Sequence, residues 1–101
     1  MKKLLQIDFM MDGPFGEAMS EAFAPLAESI AQEKGLIWKI WTENAAAKEA
    51  GGIYLFEDEV SAMAYLQMHT ERLNSFGISP INAKVFDINE SLSLIDRAPI
   101  V

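Results

Sequence analysis

The sequence predicts an α+β domain: one four-stranded antiparallel sheet with two helices on the same face. Three observations predict it. Stretches rich in β-forming residues alternate with two helical stripes in the order βαββαβ. Glycine, proline and acidic residues punctuate the chain at each change of period. The chain has 101 residues, half of them hydrophobic and ten per cent aromatic. That length suits a single domain over residues 1–101, and the apolar content argues against disorder despite a formal net charge of −7.

Residues 3–11 (KLLQIDFMM) form the first strand, which stops at Asp12-Gly13-Pro14, a turn signal that also suits a helix start. Asp12 or Gly13 is the expected N-cap, and Pro14 at the first helical position loses no hydrogen bond, because that N–H is orphaned anyway. Phe15, Met19, Ala22, Phe23, Leu26 and Ile30 then recur at steps of three and four, a helical stripe that closes at Gly35. Pro25 lies inside the stripe, where it removes a backbone bond and crowds the Glu21 carbonyl, so a kink is expected.

Residues 36–43 (LIWKIWTE) form the second strand, and residues 44–50 read as a mobile connection to a third at 51–56 (GGIYLF). The Gly51-Gly52 pair marks a bulge or a place where another group approaches the backbone closely. It is no phosphate loop, since it lacks that spacing and precedes a strand. Glu57-Asp58-Glu59 puts negative charge at the start of a second helix, where the dipole favours it. That helix runs from about residue 58 to 76 and closes at Gly77. Residues 81–88 make the fourth strand, and residues 90–101 form a tail carrying Leu92, Leu94, Ile95, Ile100 and Val101.

This order is the ferredoxin-like, split βαβ arrangement. Right-handed crossovers place both helices on one face and leave the other uncovered. The strands nevertheless carry apolar residues on both sides: Leu5, Ile7, Phe9 and Met11 against Leu4 and Met10, and Leu36, Trp38 and Ile40 against Ile37 and Trp41. Ile53 and Leu55 oppose Tyr54 and Phe56, and Ile81, Ala83 and Val85 oppose Phe86 and Ile88. Strands apolar on both sides read as buried on both sides. A second copy packed sheet to sheet in a two-fold homodimer meets that demand. The tail covers a sheet edge or reaches across to the partner.

Composition excludes several function classes. Without cysteine there is no disulfide framework, thiolate nucleophile or cysteine-based metal site, and the single histidine, His69, leaves no multi-histidine metal site within one chain. Fifteen acidic against eight basic residues make nucleic acid a poor partner. Leu4-Leu5-Gln6-Ile7-Asp8 breaks the apolar run too early for a signal peptide, and no stretch approaches a membrane span. A soluble cytoplasmic protein is expected.

Polar residues in apolar places are the candidates for function. His69 sits in the stripe Ala62, Leu66, His69, Leu73, Phe76. It is either a neutral core histidine bonded to a backbone carbonyl, or a general base or hydrogen-bond donor in a cavity between helix and sheet. Trp38 and Trp41, three apart on a strand, point to opposite faces; the one facing the helices would fill the core or wall a pocket for a planar ligand. Tyr54 would offer its hydroxyl to the same cavity or to a neighbouring backbone group. Gln6 and Asp8 occupy the more polar side of the first strand and are candidates for substrate binding; burial would raise the Asp8 carboxyl toward a useful base, or Lys39 or Lys84 would neutralise it across the sheet. No nucleophile, base and orienting group assemble into a triad.

Several segments together resemble a known family. Gly13-Pro14-Phe15-Gly16, Leu26-Ala27-Glu28-Ser29-Ile30, Trp38-Lys39-Ile40-Trp41-Thr42-Glu43, Glu49-Ala50-Gly51-Gly52-Ile53-Tyr54-Leu55-Phe56 and Ala83-Lys84-Val85-Phe86-Asp87 are similar to the small bacterial ydhR-type mono-oxygenase family, over nearly the whole chain. The resemblance implies a dimeric α+β barrel. It carries no established catalytic motif to transfer. Two functions follow. One is a cofactor-independent mono-oxygenase for a small phenol, quinol or polyketide-like aromatic, with His69 as base, Trp38 and Tyr54 holding the ring, and the anion itself reducing dioxygen. The absence of any flavin or nicotinamide fingerprint is compatible with it. The other is a binding module for a small hydrophobic molecule.

Overall fold

The computed structural model describes residues 1–101. Its elements are β1 (Lys3–Met10), α1 (Gly16–Ala31), β2 (Leu36–Asn44), β3 (Glu49–Phe56), α2 (Glu59–Ser75), β4 (Asn82–Asp87) and α3 (Glu90–Ile95). The strand order is β2-β3-β1-β4, and every neighbouring pair is antiparallel. This is the ferredoxin-like topology expected from the order of periods. Alternation along each strand separates two faces. Leu5, Ile7, Tyr54 and Phe56 pack against Ile30 of α1 and Ala62, Tyr65 and Leu73 of α2 in one buried cluster.

Several local expectations are corrected. Helix α1 starts at Gly16 with Phe15 in the cap position and no side-chain cap of its own, so Asp12 and Gly13 lie outside it and Pro14 is not its first residue. The cap comes from across the fold instead: the Gly16 N–H donates to Glu43 Oε1 of β2 at 2.7 Å. A carboxylate there meets both an orphaned donor and the positive end of the helix. The helix runs through Pro25 to Ala31.

The connection expected to be mobile is a short hairpin turn over residues 45–48. Asn44 Oδ1 accepts from the Ala47 N–H at 3.1 Å, and the Lys48 N–H donates to the Ala45 carbonyl at 3.2 Å. Lys48 takes φ 55° to close it. Strand β3 accordingly begins at Glu49, two residues before the glycine pair. In β2 a register irregularity between Leu36 and Trp38 puts Leu36 against the helix-side core, not on the side of Trp38 and Ile40. An extra residue in a strand shifts the alternation at that point.

The face away from α1 and α2 is covered at one end. Leu55 points to that face and is fully buried, and Ile100 of the tail is buried as well. Trp38, the cross-strand partner of Leu55, donates its indole N–H to the Pro99 carbonyl at 2.8 Å. The tail therefore returns onto its own sheet, after the short helix α3 capped by Asn89 Oδ1 on the Leu92 N–H. Farther along the same face Ile40, Met10 and Phe86 remain exposed.

Candidate active site

The Gly51-Gly52 pair is the starting point. A Cβ on Gly51 would lie 1.9 Å from the Ile7 carbonyl oxygen, so β1 crosses there too closely for any side chain. A Cβ on Gly52 would lie 2.7 Å from Cε of Lys39. The close approach expected at these glycines is thus made by a neighbouring strand and by a lysine. Bare backbone at Gly52 lets Lys39, on edge strand β2, fold inward over the sheet.

Folded inward, the ammonium of Lys39 stands 3.4 Å from the centroid of the Trp41 ring and 4.8 Å from that of Tyr54. Cation–π attraction offsets part of its lost hydration. Burial, with the Arg72 charge second, still lowers its pKa from 10.5 to about 7. An amine with that pKa exchanges protons at neutral pH, which an ordinary lysine does not.

An aromatic column continues inward. Tyr54 and Tyr65 lie 5.0 Å apart, ring to ring, and their hydroxyls are hydrogen-bonded at 3.3 Å. Burial raises both phenols above their ordinary value, Tyr65 to about 12. Tyr65 stacks on His69 at 5.0 Å.

His69 is 3% exposed, and its Nδ1 faces the Arg72 guanidinium, 3.2 Å from Nε and 2.9 Å from Nη2. A guanidinium only donates, so Nδ1 accepts and the neutral ring carries its proton on Nε2. Burial first, then the charges of Arg72 and Lys39, lower its pKa from 6.5 to about 3. His69 is a neutral buried histidine, as one of its two readings holds, but its partner is a side chain and not a backbone carbonyl.

The six residues singled out from sequence fall on two sides of the sheet. Tyr54, His69 and Trp41 share the helix side, where Trp41 also stacks on Phe23 of α1 at 6.1 Å. Trp38, Gln6 and Asp8 lie on the other. Trp38 is therefore not the tryptophan beside Tyr54; Trp41 is. Asp8 receives the side-chain amides of Asn82, at 3.3 Å to each oxygen, and of Gln6 at 3.5 Å. Lys39 does not neutralise it, since Lys39 points to the opposite face, and Lys84 makes no ion pair with it.

Two grooves run between α1 and β2. One of about 420 Å³ is lined by Met19, Phe23, Ala27, Glu28, Trp41 and Glu43, among others; the other, about 230 Å³, by Ala27, Ile30, Leu36, Trp38, Lys39 and Trp41, among others. Both meet at Trp41 and Ala27. His69 and Tyr54 line neither, because α2 packs closely over them while α1 stands farther off. No group of three or more His, Cys, Asp or Glu side chains converges as metal ligands.

Sequence reasoning missed Lys39 and Arg72 as candidate site residues. Both had a signal. Lys39 is two residues from Trp41 on a strand and so shares its face, and Arg72 is three residues from His69 on a helix.

A family model described as "Putative mono-oxygenase ydhR" matches residues 4–99. The chain belongs to the ydhR family. No curated protein resembles it closely enough in sequence to count as a match. Among solved structures, the ydhR chain is similar to a putative antibiotic biosynthesis monooxygenase from Deinococcus radiodurans, with TM-score 0.63 and 8% identity over 86% of this chain and 92% of that one. It is also similar to a variant of SnoaB, a cofactor-independent oxygenase from Streptomyces nogalater, with TM-score 0.62 and 17% identity over 87% and 93%. A third is the NE2512 protein of unknown function from Nitrosomonas europaea, with TM-score 0.59 and 18% identity over 87% and 89%. At these identities the likeness establishes the ferredoxin-like fold of the ydhR chain. No helix of this ydhR protein is long and apolar enough to cross a membrane.

Proposed function

We propose that the protein is a cofactor-independent mono-oxygenase for a small phenol, quinol or polyketide-like aromatic, acting in the cytoplasm as a homodimer. The observation that carries this reading is Lys39, an amine held against Trp41 and Tyr54, bordering an apolar groove and lowered to about 7. Membership of a mono-oxygenase family and likeness to a cofactor-independent oxygenase support the class.

In this reading the ring lies in the groove against Trp41. The neutral Lys39 amine takes the proton of the acidic hydroxyl or enol: the O–H bond breaks and an N–H bond forms. The resulting anion reduces dioxygen directly. One oxygen atom enters the substrate as a carbonyl oxygen, and the other leaves as water with the two hydrogens the substrate loses. The protein desolvates the anion and holds it in place.

His69 is assigned a positioning role, because Arg72 occupies its Nδ1 and it stays neutral until strongly acid pH. Tyr54 backs the Lys39 ammonium. Gln6, Asp8 and Trp38 belong to the opposite face, where Ile40, Met10 and Phe86 remain for a second copy to cover.

Oxygen uptake with a panel of quinols and anthrones tests the reading. Native protein is expected to consume oxygen above the buffer rate, and Lys39→Met to lose that activity. Binding of the same compounds without oxygen uptake overturns the enzyme and leaves the binding module.

A further inference from the structure

Lys39 and Arg72 share an anomaly in a chain of net charge −7. Each is partly buried, and neither has a carboxylate partner. The ion pairs of the protein are Lys3 with Asp87 and Lys48 with Asp12, both elsewhere. Lys39 spends its charge on the faces of Trp41 and Tyr54, and Arg72 on a neutral imidazole nitrogen. Both charges bear on His69. Two cations brought together without a counter-charge disfavour each other, and an anion relieves both.

The surrounding carboxylates do not fill that role. Glu43 is turned to the Gly16 N–H at the start of α1, Glu28 lines the larger groove away from Lys39, and Glu33 acts only weakly, on Tyr65. The remaining groups facing the pair are Tyr54 and Tyr65, whose phenols stay protonated, and neutral His69. The groove beside Lys39 is otherwise apolar, about 230 Å³, and walled by Trp41. Its size suits one or two aromatic rings.

We propose that Lys39 and Arg72 form a counter-charge site that selects a one- or two-ring aromatic acid and holds its acidic oxygen as the anion against Trp41. The proposal rests on the reading of this cleft as the substrate site, and it narrows the substrate class to acids: phenols and enols that ionise readily, with aryl carboxylates as non-oxidisable mimics. Lys39 meets the anion directly. Arg72, whose guanidinium is tethered to His69, is a positioning residue that adds field from behind.

Calorimetry with 2-naphthoate and its neutral isostere 2-naphthamide tests this without any oxygen chemistry. The naphthoate is expected to bind the native protein at least about tenfold more tightly, a difference of about 1.4 kcal/mol. The preference is expected to weaken with added salt, to vanish in Lys39→Met and to survive in Lys39→Arg. Arg72→Met is expected to reduce it, and Arg72→Lys, which keeps the charge, to restore part of it. Equal binding of the two ligands by native protein, or binding of neither, overturns the site. Preference for the naphthoate in a protein that consumes no oxygen with any quinol sustains the site and removes the mono-oxygenase.

Discussion

Cε of Lys39 fills the space that a Cβ on Gly52 would occupy, 2.7 Å away. The site lysine and the glycine beneath it are two halves of one feature. A side chain on Gly52 would force Lys39 outward, away from Trp41 and Tyr54.

Gly52→Ala is expected to cost little stability, on the order of 1 kcal/mol, because the displaced group is the end of a flexible side chain. Oxygen uptake and naphthoate preference are expected to fall together. Gly51→Ala meets the Ile7 carbonyl at 1.9 Å, where only backbone can move, and is expected to destabilise by several kcal/mol. Urea denaturation of the two variants checks the contrast.

The activity is expected to rise with pH through about 7, as Lys39 loses its proton. Lys39→Arg, which stays charged, is expected to lose activity across the range while keeping anion binding. A pH profile of kcat/KM with no limb near neutrality removes Lys39 as the base.

His69 binds its proton less readily folded than unfolded, its pKa being about 3 against 6.5. Between those values the unfolded chain holds more protons, so stability rises with pH. The contribution is complete above pH 6.5 and is lost as pH falls toward 3. His69→Gln is expected to flatten that part of the curve of unfolding free energy against pH, with chemical denaturation as the measurement.

The two tryptophans report on different faces. A ligand in the groove beside Lys39 is expected to quench Trp41, whose ring lies under the ammonium, so Trp41→Phe removes most of the fluorescence response and Trp38, which also lines that groove, contributes the rest. Trp38→Phe instead removes the bond to the Pro99 carbonyl, at a cost of about 1 kcal/mol. Amide hydrogen exchange is expected to quicken in the tail.

Ile40 is 54% exposed on the sheet face away from α1 and α2, opposite Ile53 of β3. Sedimentation is expected to show a dimer for native protein and a monomer for Ile40→Lys. A native monomer at micromolar concentration removes the sheet-to-sheet homodimer.

Much of the fold was legible because hydrophobic period is a local property. The stripe Ala62, Leu66, His69, Leu73 placed His69 on the buried face of α2, and alternation placed Trp38 and Trp41 on opposite faces. Local reading failed where the partner was distant. The cap of α1 comes from Glu43, 27 residues on, and no nearby residue announces it. The irregularity at Leu36 shifted one strand by a residue and put Trp41, not Trp38, with the helices. A lysine in a strand reads as solvent-facing until the glycine under it and the aromatic rings beside it are brought together.

The residues by themselves determined the element order, the sheet topology, the buried histidine and the family. The tertiary structure alone brought the proposed site residues together. It joined Lys39 from β2, Tyr54 from β3, and His69 and Arg72 from α2, and it turned Asp8 and Gln6 to the far side. The physical reason lies in how each is set. Periodicity is written into neighbouring residues, whereas charge state and reactivity depend on what surrounds a group in space: burial against Trp41 and the field of Arg72 give Lys39 its proton affinity, and burial first, then the charges of Arg72 and Lys39, lower that of His69.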